Sequence, residues 1–388
     1  MATVSLPTST GTVEPYKLGT PISLPAGGTP TFNRAVFAAA HVVADPLADI
    51  DPWLNTAVDW DRTLAYREHL WSLGLGVAEA MDTAQRGMGL DWPTSLTLIQ
   101  RSLAAAAARD GALVASGCGT DHLDPAEARS IDDVMAAYEH QAEAIEAAGG
   151  RLIIMASRAL ARVARSPADY ETVYARVIGQ AREPVILHWL GDMFDPALAG
   201  YWGSPDVAAA MDTCVGIITA HADRIDGVKI SLLDKTAEIT MRRRLPASVR
   251  MYTGDDFNYP ELIAGDEQGY SDALLGIFDP IAPVASAAHA ALAAGDRTRY
   301  DALFDPTVPL SRHIFRAPTR FYKTGVVFLA YLNGHQDHFT MVGGQESTRS
   351  TLHLATLFRL ADQAGLLSDP DRAAARMTGV MAIRGVTA

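Results

Sequence analysis

Of the 32 basic residues in this chain only four are lysines, Lys17, Lys229, Lys235 and Lys323. Lys229 stands in the short apolar run Gly227-Val228-Lys229-Ile230-Ser231. A chain that supplies arginine almost everywhere has put an amine where a strand should end. Arginine cannot form imines, whereas a lysine whose charged form is disfavoured by apolar surroundings becomes a nucleophile for carbonyl carbons. The chemistry to expect is that of an aldolase-type lyase; the plain alternative is a strand-end lysine reaching for water. One candidate strand earlier, Val185-Ile186-Leu187-His188-Trp189 carries an imidazole, able to move protons near neutral pH. Adjacent strands lie about 4.8 Å apart, so His188 and Lys229 can share one cavity mouth.

The elements that must position these groups recur regularly. Runs favouring β structure cover Ala35–Val43, Gly76–Thr83, Leu113–Thr120, Arg151–Ser157, Pro184–Gly191, Gly227–Ser231, Arg250–Asp256 and Gly269–Ile277. Most are separated by stretches of helical period such as Ile131–Ala148 and Ala168–Gln180. Strands alternating with helices pair in parallel through right-handed crossovers, and eight such units close naturally. The fold expected is α/β, a (β/α)8 TIM barrel over residues 35–285. An open doubly wound sheet is the competing topology, but no G-x-G-x-x-G follows the first strand. Residues 1–34, rich in Pro, Thr, Gly and Ser, read as an extended arm over the domain surface or a neighbouring subunit. Residues 286–388 read as a C-terminal helical extension, covering part of the barrel or building a dimer interface.

Barrel enzymes gather their working groups at the carboxyl ends of the strands. Polar residues collect there: Glu79, Asp82 and Thr83 on the second strand, Thr120 and Asp121 on the third, Ser157 and Arg158 on the fourth, and Thr253, Asp255 and Asp256 on the seventh. A lone carboxylate in such a place is often the N-cap of the next helix, a role open to Asp121 and to one of Asp255 and Asp256. The substrate-binding candidates are thus Glu79, Asp82, Thr120, Ser157, Arg158, Asp255 and Asp256.

Three segments together resemble the dihydrodipicolinate synthase and N-acetylneuraminate lyase superfamily over roughly residues 35–290. They are Glu183-Pro184-Val185-Ile186-Leu187-His188, then Gly227-Val228-Lys229, then Tyr252-Thr253-Gly254-Asp255-Asp256 followed by Glu261-Leu262-Ile263-Ala264-Gly265. Gly117-Cys118-Gly119-Thr120 agrees with them. The resemblance implies a divergent class I aldolase that uses no cofactor, with Lys229 as its Schiff-base lysine and Thr83 as the hydroxyl that holds a keto-acid carboxylate and relays protons. His188 stands where the family usually has a tyrosine acting as acid and base. Where relatives grip a second carboxylate with an arginine, this chain has Asp192 and Asp195. The family's Gly- and Thr-rich turn is replaced by Glu79-Ala80-Met81-Asp82-Thr83. These departures point away from the lysine-biosynthesis substrate and put pyruvate in question. A keto sugar or its acid would suit Glu79, Asp82 and Asp256 as hydroxyl acceptors.

A second reading keeps the barrel for a divalent-metal isomerase, epimerase or lyase acting on a sugar derivative. Manganese or zinc would be held by Glu79, His188 and Asp255 or Asp256. A third is a non-catalytic binding protein on the same scaffold. Partners are bounded by composition. A net charge of −13 leaves no cationic surface for nucleic acid. Arg242-Arg243-Arg244 reads as a solvated helix face at the amino-terminal end of the barrel, away from any substrate. Asn333-Gly334-His335-Gln336-Asp337-His338 reads as a surface loop rather than a metal cluster. Two cysteines without zinc-type spacing, no leader-like start and no membrane-length apolar run suggest a cytoplasmic protein. The partner expected is a small-molecule carbonyl substrate, and the assembly a homo-oligomer, a dimer or tetramer.

Overall fold

The computed structural model describes residues 2–24 and 30–386. Eight parallel strands close into a barrel. In chain order they are Val36–Ala39, Gly76–Glu79, Val114–Cys118, Arg151–Ile154, Val185–Leu190, Ile225–Ser231, Arg250–Thr253 and Asp272–Leu275. Each pairs with its neighbour in sequence, and the eighth closes on the first through Ala273–Val36 and Leu275–Ala38. Every expected strand is present, and all but the sixth, which keeps its end at Ser231 and starts two residues early, are trimmed at the carboxyl end. There the chain leaves the sheet to build loops, and those trimmed residues hold most of the polar groups.

Alternation along each strand sorts side chains into two cores. Phe37, Ala39, Ala78, Ala115, Ile153, Ile186, Tyr252 and Leu274 fill the barrel's interior with Met81 and Met155, while residues such as Val77, Leu187, Val228 and Ile230 pack outward against the helices. Tyr252 takes its place only because residue 227 lacks a side chain: a Cβ there would lie 2.5 Å from the Tyr252 ring. The Tyr252 hydroxyl then donates to Asp226 at 2.6 Å.

The crossover helices carry local stop and start signals. Asp59, Asp91 and Asp206 cap the helices Trp60–Ser72, Trp92–Ala107 and Val207–Ala220 by accepting from backbone amides. Ser130 and Ser166 open Ile131–Ala147 and Pro167–Gln180 with capping boxes. The eighth crossover helix, Ala282–Ala293, runs through the expected boundary at residue 285. Beyond it the helices Arg297–Phe304, Val308–Ile314, Tyr322–Leu332, Thr351–Gln363 and Pro370–Ile383 form the extension. The arm is more regular than its composition implied. Thr3–Pro7 and Val13–Lys17 make an antiparallel hairpin on the extension of its own chain, where Tyr16 donates to Asp362 at 2.7 Å and the Ile22 amide to the Gly365 carbonyl at 2.9 Å.

Arg243 and Arg244 of the arginine triplet are exposed as expected, whereas Arg242 is largely buried, and all three are paired. Arg242 and Arg243 pair with Asp266, and Arg244 with Asp212. In the 333–338 segment, Asp337 pairs with Arg62 and Arg376, and the His335 ring packs against Tyr66 and His69. Among the described residues no helix is long and apolar enough to cross a membrane.

The first crossover helix is fastened to the barrel by a buried ion pair. Arg67 donates to Glu79 through Nε at 2.9 Å and through its terminal amine at 2.8 Å, with both side chains fully buried. Removing one partner of such a pair strands the other charge in a dry interior. Glu79→Ala is expected to lower unfolding stability by about 3–5 kcal/mol in chemical denaturation.

Candidate active site

Lys229 is the fifth residue of the sixth strand, and alternation turns Gly227, Lys229 and Ser231 inward while Val228 and Ile230 face the helices. In register it lies opposite His188 of the fifth strand and Tyr252 of the seventh. The lysine is 7% exposed. Its amine projects into a small inner cavity of about 10 Å³, bordered by Asp82, Thr83, Ser231, Asp256 and Tyr322. That is room for a group the size of a carbonyl or one water. Among the described residues the amine has no hydrogen-bond or ion-pair partner. Burial disfavours its charge and lowers its pKa, while the carboxylates of Asp256 and Asp82 pull it part of the way back. Gly254 makes space for the stem, since a Cβ there would lie 2.7 Å from Lys229 Cε and 2.2 Å from Ser231 Oγ.

The two carboxylates differ. Asp256 Oδ1 accepts from the Ile277 amide at 2.9 Å, and burial pushes its carboxyl up to about 7. Asp82 is half-buried, and its side chain has no hydrogen-bond partner among the described residues. It borders both the inner cavity and an outer one of about 70 Å³. Leu190 is the other residue shared by the two.

His188 belongs to the outer cavity, with Thr120, Arg158 and Asp195. Its Nε2 lies 3.2 Å from Ser231 Oγ, and Nδ1 has no partner. Desolvation first, and the nearby Lys229 second, hold its pKa well below the usual imidazole value, so the ring is neutral. Ser231 thus stands between imidazole and amine: it bonds the first and borders the cavity of the second. Thr83 Oγ1 and the Tyr322 hydroxyl lie 2.8 Å apart at the inner wall.

Other expected residues serve the walls. Ser157 bonds Thr120 at 2.6 Å and caps the helix Arg158–Val163 through the Leu160 amide. Arg158 pairs with Asp195. Arg86, which the sequence reading did not single out, pairs with Asp121 at 2.6 Å and bonds Gln141 beneath the outer cavity. Two candidates are not brought to the mouth. Glu79 follows inward-facing Ala78, so it points out of the barrel toward Arg67 and Ser102. Asp255 is consumed by a turn, accepting from the Phe257 and Asn258 amides and the Asn258 side chain. The ligand set Glu79, His188 and Asp255 therefore does not converge. Among the described residues no three His, Cys, Asp or Glu side chains meet in a metal-holding arrangement, Asp256 included.

Tyr322 escaped the sequence reading because it comes from the extension, 93 positions after Lys229 with no spacing to tie the two (322 − 229). Glu79 was legible in principle. Strict alternation through the second strand separates it from Ala78.

Solved structures share this architecture. Dihydrodipicolinate synthase from Aquifex aeolicus matches with a TM-score of 0.65 at 13% identity, over 86% of this chain and 99% of that one. A prophage protein of the dihydrodipicolinic acid synthase family from E. coli K12, solved with pyruvate, matches with a TM-score of 0.65 at 15% identity, over 87% and 100%. The dihydrodipicolinate synthase from Bacillus clausii gives 0.61 at 12%, over 84% and 96%. At such identities the likeness speaks for the fold, which is the barrel expected from the strand count. No curated protein matches the chain. Residues 4–386 match the family model described as "Protein of unknown function (DUF993)", and the chain belongs to that family.

Proposed function

We propose that this protein is a Schiff-base-forming lyase of the aldolase type, acting on a 2-oxo acid or keto-sugar-type substrate through Lys229. The observation that carries the reading is a buried amine, without a partner among the described residues, facing a cavity of carbonyl size. In that place a structural lysine would be expected to find a carboxylate within bonding distance or to reach water. Fold likeness to dihydrodipicolinate synthases supports a lyase on this scaffold.

Neutral Lys229 would attack the substrate ketone, and the carbinolamine would lose the carbonyl oxygen as water. The resulting iminium accepts the electron pair of the breaking carbon–carbon bond as the neighbouring hydroxyl gives up its proton. Protonation of the enamine carbon and hydrolysis then return the amine. His188, neutral and with Nδ1 free, is suited to proton transfer from the outer cavity. Asp256, with a carboxyl poised at about 7, can hold or release a proton beside the amine. The Thr83–Tyr322 hydroxyl pair would meet the departing carbonyl oxygen. The scheme calls on no cofactor. A metal-dependent reading has less support, because Glu79 and Asp255 are occupied elsewhere.

Borohydride added with a carbonyl substrate should leave a covalent mass increment on the peptide bearing Lys229. A Lys229→Ala variant that keeps full turnover would sink the proposal. Tyr322→Phe is expected to lower turnover about 100-fold, the low end of the range ascribed to a positioned proton-transfer group, with the adduct still forming; unchanged kcat would remove Tyr322 from the reaction.

The pH profile of trapping carries a sign. The neutral amine reacts, so the rate rises with pH through the Lys229 pKa, which lies below the ordinary value of 10.5. Asp256 stabilises the ammonium. Asp256→Asn withdraws that support and should move the midpoint to lower pH; a shift upward would contradict the assigned electrostatics.

A further inference from the structure

Resting on the imine reading, we propose that the substrate is an uncharged polyhydroxy ketone rather than an anionic 2-oxo acid, and that Asp82 makes the distinction. Besides the Tyr322 phenol, three side chains able to carry charge near neutral pH border the inner cavity: Lys229, Asp256 and Asp82. Imine formation consumes the neutral form of the only amine among them. At the moment a carbonyl enters, Lys229 therefore brings no charge to offset a substrate carboxylate. Asp82 faces the guest with no hydrogen-bond partner of its own among the described residues.

The nearby arginines are committed. Arg158 pairs with Asp195 and Arg86 with Asp121. Lys323 turns its amine to the Arg320 carbonyl at 3.1 Å and to Met88 Sδ at 3.2 Å; Asp82 is the carboxylate that acts on its charge most, from beyond ion-pair range. A carboxylate next to the substrate carbonyl would meet the like charge of Asp82 across the small inner cavity. A hydroxyl in that position instead donates a hydrogen bond to it. Asp82 also borders the outer cavity, so a polyol chain can continue past it toward Thr120, His188 and Asp195.

The chemistry balances without redox change. Lys229 Nζ bonds the ketone carbon, and its oxygen leaves as water. The proton of the β-hydroxyl goes to a base as the α,β carbon–carbon pair flows into the iminium. The freed aldehyde departs, the enamine carbon takes a proton, and water hydrolyses the imine to release a hydroxyketone.

The test compares borohydride trapping of the whole chain with hydroxyacetone, dihydroxyacetone, pyruvate and 2-oxobutanoate at equal concentration, read as mass on the Lys229 peptide. The hydroxyketones should label Lys229 at least tenfold more than the oxo acids, and Asp82→Asn should narrow that ratio at least fivefold. Pyruvate labelling Lys229 as well as or better than hydroxyacetone overturns the substrate assignment and leaves the imine reading standing. A ratio unchanged in Asp82→Asn removes Asp82 from the distinction. No adduct on Lys229 with any of the four sinks the imine reading, and this inference with it.

Discussion

Desolvation of a single amine governs the mouth of this barrel. Water would keep a lysine protonated and unreactive near neutral pH. Packed at 7% exposure among inward-facing side chains, Lys229 loses that support, and its protonated form is held only by carboxylates that do not touch it. Nearby features bear on the same balance. Gly254 leaves room for the stem, and Asp256, tied to the Ile277 amide, sets how much negative charge the amine feels. A closer carboxylate would lock the ammonium in place. A more distant one would leave burial without compensation.

The polar groups at the barrel mouth fall around two neighbouring cavities that share Asp82 and Leu190. The inner one is polar but barely wider than a carbonyl, and the outer one is walled by arginines already bound to aspartates. This arrangement uses cations as rigid wall material rather than as free anchors for an anion. The neutral imidazole of His188 fits the pattern: it lies next to an amine and gains nothing from a second positive charge there.

How much of this was legible in the chain follows from what each residue's signal depends on. The strands were readable because short apolar runs and helical stretches alternate, and both periods survive in the sequence. Lys229 and His188 were readable because a lone polar residue inside an apolar strand is anomalous. Strand ends were less so, since the chain leaves the sheet a few residues before its β-forming composition ends, as at Gly76–Thr83, where only Gly76–Glu79 is strand. Glu79 was misplaced for that reason: grouped with loop residues Asp82 and Thr83, it is still under strand alternation and points the other way. Tyr322 lay beyond any local pattern, because its position depends on how a late helix docks over the mouth.

That late docking ties the order of synthesis to the order of assembly. The eight strands and their last crossover are complete by residue 293, yet one wall of the inner cavity arrives only with the helix Tyr322–Leu332. The hairpin at the start of the chain must wait longer still, since its anchors Asp362 and Gly365 are translated after that helix. Residues 3–22 are thus synthesised well before the helices that seat them, and those helices belong to the same extension that finishes the barrel mouth.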